Sequence, residues 1–231
     1  MHRTKVRVVE DALDANNTIA AANRSDFDRA GVTVVNLMSA PGAGKTTLLE
    51  RALEGLANTD PPILRVGVLE GDVAGSFDAD RISVLHIPVV QLNTDNGFGG
   101  ECHLDANMVR SALPAVPLDE IDILLVENVG NLVCPAEFRI GEDAKMMVCS
   151  VTEGEDKPLK YPLMFRSCEL VVINKIDLLQ YLDFDVDRLE ANIMQVNPNA
   201  TVLRVSAKTG EGVEAFREWM TSVSARAGAT A

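Results

Sequence analysis

The stretch VTVVNLMSAPGAGKTTLLE, residues 32–50, joins an apolar run to an amphipathic one through a turn of small residues. Residues 32–39 read as a buried β-strand and 46–57 as a helix. The junction SAPGAGKTT, 39–47, therefore stands where a phosphate loop has to sit. Gly42 and Gly44 allow the backbone to bend so that successive amides point at phosphate oxygens. Lys45 brings a cation to the terminal phosphates, and the Thr46 hydroxyl can ligate Mg²⁺. The helix N-terminus adds the positive end of its dipole. The nucleotide-binding run is thus Gly42, Ala43, Gly44, Lys45, Thr46 and Thr47, with Ser39 where the usual pattern begins with glycine.

Outward from this junction, strand and helix signals alternate. Apolar runs at 65–72, 88–94, 121–129, 145–151, 169–177 and 201–206 read as strands, and the segments at about 103–113, 184–196 and 212–226 as helices. The run IDILLVENV is almost uninterrupted, as expected of a strand covered on both faces. The pattern predicts an α/β fold of the three-layer P-loop NTPase type, with a mostly parallel twisted sheet and helices on both faces. Residues 1–30 read as a helical lead-in of one or two helices, and 31–231 as the nucleotide-binding domain.

The base is addressed from later in the chain. NKID, 174–177, closes an apolar strand, so it lies at the carboxyl edge of the sheet. Asp177 can accept two N–H bonds from guanine, Asn174 can meet the base edge, and the Lys175 stem can lie along the ring. Ser206, Ala207 and Lys208, in SAK, complete the pocket from the next strand end. Adenine offers no such pair of donors, so GTP is the expected nucleotide. Asp72 in LEGD and Glu127 in VENVG also end strands and are expected to hold Mg²⁺ with Thr46, or to position the attacking water. With Lys45, they make the candidate catalytic set. Gly130 offers a backbone amide to a γ-phosphate, and Asn131 beside it suggests slow intrinsic hydrolysis.

ECHLD, 101–105, places a thiol beside an imidazole at the same sheet edge, and Cys134 follows VENVGN there. Thiolate and imidazole suit Zn²⁺ or Ni²⁺. One chain offers Cys102, His103 and Cys134, too few for a closed tetrahedral site, which a two-fold pairing of two Cys102 and two Cys134 would complete. A nucleophilic Cys–His pair is the competing reading, disfavoured because adjacent side chains seldom face each other. Cys149 and Cys168 read as small buried hydrophobes.

Composition excludes several classes. With 21 basic and 34 acidic residues the net charge is -13, which argues against nucleic acid or an anionic membrane as partner. No apolar run approaches the roughly 20 residues of a membrane span, and the first residues lack the apolar stretch of a signal peptide. A cytoplasmic protein is expected.

Together NLMSAPGAGKTTLLE, LEGD, ECHLDANMV, LLVENVGNLVCP, SVTEGEDKPLKYPLMF, NKIDLL and SAKTGEG resemble the HypB GTPases, which insert nickel during maturation of nickel–iron hydrogenases. The resemblance runs from about residue 10 to residue 222. It implies the dimerising, SIMIBI-type P-loop class and GTP-dependent homodimerisation. It also implies a Ni²⁺ or Zn²⁺ site at the dimer interface built from Cys102, His103 and Cys134. The partners implied are a HypA-type nickel chaperone and the hydrogenase large-subunit precursor. The N-terminal Cys-rich and His-rich nickel motifs of some members are missing, and the loop at 95–100 is richer in glycine. The GTPases that serve urease or the cobalamin-dependent mutases are the alternatives of the same class. A P-loop small-molecule kinase and a metal or redox module with a degenerate nucleotide site are more distant ones.

Overall fold

The computed structural model describes residues 11–57, 62–73, 75, 77–95 and 100–228. The lead-in over residues 1–10 and the loop glycines at 97 and 99 lie outside the described residues. Helix α1 (Asp11–Ala30) precedes β1 (Thr33–Ser39), and α2 begins at Lys45 and runs to Ala57. Then follow β2 (Val66–Asp72), α3 (Phe77–Ser83), β3 (Val89–Asn93), α4 (Ala106–Ala112), β4 (Ile123–Glu127) and α5 (Cys134–Glu137). The chain continues through β5 (Ala144–Ser150), α6 (Lys157–Lys160), α7 (Pro162–Ser167), β6 (Leu170–Asn174), α8 (Val186–Val196), β7 (Thr201–Arg204) and α9 (Val213–Gly228).

The strands form one sheet in the order β3-β2-β4-β1-β5-β6-β7, and every pairing is parallel. A parallel sheet needs both faces covered, and the alternation along each strand supplies two apolar faces. Val35 and Leu37 of β1 pack in the core beneath α2 and α9 with Leu48, Leu53, Phe216 and Met220. Val34 and Met38 face the opposite layer, Val34 with Phe27 and Val109, Met38 with Phe165 and Ile193. Three layers result, with the carboxyl ends of the strands along one edge.

Helix α1 is fastened to this body. Asn23, fully buried, donates to the Ala106 carbonyl at 2.8 Å and the Ile140 carbonyl at 3.1 Å. Phe27 is 0% exposed in the core between α1 and α4.

The structure differs from the sequence reading in three places that matter. The helix expected from about His103 starts at Ala106, because the Asp105 side chain caps it by accepting the Met108 amide at 2.7 Å. Cys102 and His103 therefore lie in bends ahead of it rather than opening it. The strand read through 177 ends at Asn174, where Lys175 turns to φ 65°. Helix α3, unanticipated, is short and acidic and buries only Ala79 and Ile82, too little apolar surface for a periodic signal.

Replacing Phe27 by Ala should cost about 3–5 kcal/mol, the usual range for emptying a buried aromatic site. Urea unfolding followed by circular dichroism measures it, and an unchanged midpoint would mean that α1 contributes nothing to the fold.

Candidate functional site

The phosphate loop, β2, β4 and α3 enclose a cleft of about 610 Å³ at the carboxyl edge of the sheet. Gly42 and Gly44 hold φ of 73° and 90°, values that L side chains rarely adopt. A Cβ on Gly44 would also stand 2.6 Å from the Asn174 amide nitrogen, so the loop requires glycine there on two counts.

Beneath the loop, Glu127 is 1% exposed and receives both reactive side chains of the phosphate motif. Its Oε1 accepts from Lys45 Nζ at 2.5 Å and from Thr46 Oγ1 at 2.7 Å. Glu70 stands beside it, because β2 and β4 pair with Glu70 and Glu127 as register partners. Glu70 is 2% exposed, and its carboxyl is pushed up to about 10, first by burial and then by the charge of Glu127. Each of these carboxylates keeps one oxygen, Oε2, without a hydrogen-bond partner among the described residues. Carboxylate oxygens of Glu70, Asp78 and Glu127 lie within 4.8 Å of one another. Orphaned oxygens on buried carboxylates beside the Thr46 hydroxyl fit a hard divalent cation such as Mg²⁺.

Asp72 also lines the cleft, and its Oδ1 accepts the Val73 amide at 2.7 Å. Glu70, two positions before Asp72 in LEGD, is a site residue that the sequence marks only as an acid inside an apolar strand, and the register alone places it beside Glu127. Arg81 of α3 likewise lines the cleft and donates to Thr47 Oγ1 at 3.2 Å, while pairing with Glu50. No sequence signal marks it, because α3 buries only Ala79 and Ile82.

Asn174 is buried, donating to the Ala43 carbonyl at 2.9 Å and accepting the Ala207 amide at 3.1 Å. Its carboxamide thus fastens the phosphate loop to the SAK turn. Lys175 Nζ donates to the Gly42 carbonyl at 2.5 Å. Asp177 accepts from Ser206 Oγ at 2.6 Å, which fixes the half-buried carboxylate. Lys208 is exposed, and its carbonyl accepts from Arg51 at 3.3 Å.

On the same edge, Cys102 and Cys134 place their sulfurs 3.0 Å apart, and His103 Nδ1 lies 3.8 Å from the Cys102 sulfur. One ligand atom from each of the three falls within 4.8 Å of the others. Burial lowers the pKa of His103, which favours the neutral imidazole that binds metals, and its ring packs 4.3 Å from that of Phe138. The Cys134 thiol is raised, first by its contact with Cys102 and then by burial. Cys149 and Cys168 are buried; burial pushes both thiols up, Cys168 to about 12, which suits inert core residues.

Gly130 lines the cleft so closely that a Cβ there would meet Pro41 backbone atoms at 3.2 Å. The Asn131 side chain accepts the Val133 amide at 2.8 Å and shapes the turn into Cys134.

The family described as CobW/HypB/UreG, nucleotide-binding domain, matches residues 33–204. The hydrogenase maturation factor HypB of Escherichia coli strain K12 is 47% identical over 218 residues, covering 94% of this chain and 72% of that protein. This chain belongs to the HypB family. A crystal structure of HypB from Archaeoglobus fulgidus superposes with TM-score 0.83 at 36% identity, covering 92% of this chain and all of that one. HypB from Helicobacter pylori, crystallised in complex with nickel, gives TM-score 0.81 at 33% identity over 92% of this chain and 96% of that one. HypB proteins are P-loop GTPases acting in hydrogenase maturation, so the cleft is that of a GTP hydrolase.

Two expectations follow. Lys45→Ala removes the charge that meets the terminal phosphates and should lower kcat for GTP by at least about a hundredfold, measured by phosphate release. For the protein without nucleotide or metal, Glu70 binds a proton more tightly folded than unfolded. Its protonated form therefore stabilises the fold below its ordinary value of 4.5, and this contribution is lost as pH rises from there toward about 10. Glu70→Gln should flatten the fall in melting temperature across that window.

Proposed function

We propose that this chain is a metal-binding GTPase that couples its nucleotide state to dimerisation and to delivery of nickel during hydrogenase maturation. The observation that carries the reading is the cluster of Cys102, His103 and Cys134 on the same sheet edge as the phosphate loop. Among the described residues one chain gathers three protein ligands here, so a second subunit would complete a four-ligand Ni²⁺ or Zn²⁺ site. The nickel-bound relative from Helicobacter pylori supports nickel as the cargo.

In this reading Lys45, Thr46 and the amides from Gly42 to Thr47 hold the phosphates. Thr46 and Glu127 hold Mg²⁺, with Asp72 and Glu70 as further carboxylates. Asp177, Ser206 and Lys208 frame guanine, with Asn174 and Lys175 bracing that pocket against the phosphate loop. Lys45 lies against Glu127, so its ammonium is already at the floor of the cleft, where phosphate charge has to be met. The Asn131 side-chain oxygen is engaged by the Val133 amide, which supports slow intrinsic turnover. A HypA-type nickel chaperone would exchange metal with the site, and the hydrogenase large-subunit precursor would receive it. The place of action is the cytoplasm. No helix among the described residues is long and apolar enough to cross a membrane.

Sedimentation with GDP, and with a non-hydrolysable GTP analogue, each with and without Ni²⁺, tests the coupling. The GTP analogue should favour the dimer, and Ni²⁺ should favour it further. A dimer population indifferent to both ligands sinks the switch. Cys102→Ala should lose stoichiometric Ni²⁺ after dialysis; retention of the metal would remove this cluster from the proposal.

A further inference from the structure

The end of β4 touches both sites through consecutive residues. Side chains alternate across a strand, so Glu127 and Asn128 address opposite sides of the sheet. Glu127 holds Lys45 and Thr46. Asn128 is 0% exposed, and its Oδ1 accepts the amide of Leu104, the residue after His103, at 2.8 Å. Its Nδ2 donates to Asn36 Oδ1 of β1 at 3.1 Å, and its own amide donates to the Leu37 carbonyl at 2.9 Å. The carboxamide therefore has one possible orientation, and it is braced from the strand that feeds the phosphate loop.

The same ligand loop is pinned on its other side. Thr94 Oγ1 donates to the Glu101 carbonyl at 2.9 Å, and the Thr94 amide donates to the Asp72 carbonyl at 2.9 Å. Leu104 is fully buried against β2, where a Cβ on Gly71 would stand 2.5 Å from its Cδ1. Residues 101–104 are thus hung between the ends of β2 and β4, the two strands whose acids line the nucleotide cleft.

We propose that Asn128 is the positioning residue that sets the Cys102–His103 ligands against Cys134 and transmits the state of the nucleotide site to them. The inference rests on the reading that this cluster holds nickel. When Lys45 and Thr46 turn to phosphates and their cation, Glu127 exchanges its partners. The adjustment of β4 passes through one peptide bond to Asn128 and through one hydrogen bond to Leu104. Coupling of this kind requires only that the metal loop be held differently in the two nucleotide states.

Ni²⁺ affinity of the full chain is measured by competition with a chromophoric chelator and by nickel–thiolate absorption. Each titration is run with GDP and with a non-hydrolysable GTP analogue, on the wild type, Asn128→Ala and Asn36→Ala. Losing a partner that orients a ligand should weaken Ni²⁺ binding about ten- to a hundredfold in Asn128→Ala. The ratio of affinities between the two nucleotide states should fall toward one. Asn36→Ala, which removes the brace and leaves the Leu104 acceptor, should shift both in the same direction by less, and it carries the test if Asn128→Ala does not fold. Bound fluorescent GDP reports folding. Folded variants that keep the wild-type affinity and ratio overturn the inference alone. A wild type whose affinity ignores nucleotide overturns the coupling proposed above and the transmission with it.

Discussion

A carboxylate that is 1% exposed, Glu127, lies at the floor of the cleft and takes hydrogen bonds from both Lys45 and Thr46. The Lys45 side chain is itself only 11% exposed, so the ammonium and carboxylate compensate each other out of reach of bulk water. Breaking such a pair by deleting one partner typically costs about 3–5 kcal/mol, because the remaining charge is left buried. The phosphate loop is therefore shaped by an internal anion that holds Lys45 and Thr46 where phosphate charge has to be met. Glu70 sharpens this constraint. It sits across the strand pairing from Glu127 with an oxygen that no donor among the described residues reaches, so the cluster gains when positive charge arrives.

The parallel sheet is what allows one carboxylate to govern so much. All seven strands end on the same edge, and the loops that follow them have nowhere else to gather. The segment from Glu127 to Cys134 leaves the nucleotide floor, passes Pro41 so closely that a Cβ at 130 would crowd it at 3.2 Å, and reaches the candidate ligand Cys134 within seven residues. The nucleotide cleft and the Cys102, His103 and Cys134 cluster share this edge through packing and hydrogen bonds on adjacent residues.

Much of this was legible in the residues. Gly42, Gly44, Lys45 and Thr46 between a strand and a helix announce a phosphate loop, because chain stiffness and phosphate charge demand those types at that spacing. The apolar runs at 32–39, 121–129 and 169–177 announce buried parallel strands for the same kind of local reason, the last ending three residues early at Asn174. Cys102, His103 and Cys134 were recognisable as ligand types, and the motifs around them carried the family resemblance. Less legible were α3, whose burial is confined to Ala79 and Ile82, and the start of α4, which the Asp105 cap moves past the Cys–His pair. Nor was it legible that the Asn174 carboxamide holds the backbone of both the phosphate loop and the SAK turn.

By itself, then, the sequence determined the fold class, the phosphate loop and the set of candidate ligands, since each depends on periodicity or on the chemistry of neighbours along the chain. Only the tertiary structure decided which of the acids in LEGD meets Glu127, and that two cysteines 32 positions apart bring their sulfurs to 3.0 Å. It also decided that Asn128 holds the Leu104 amide while Glu127 holds the phosphate loop. These depend on strand register and on which strand lies beside which. Those quantities are fixed by packing two apolar faces at once, and no local stretch of residues records them.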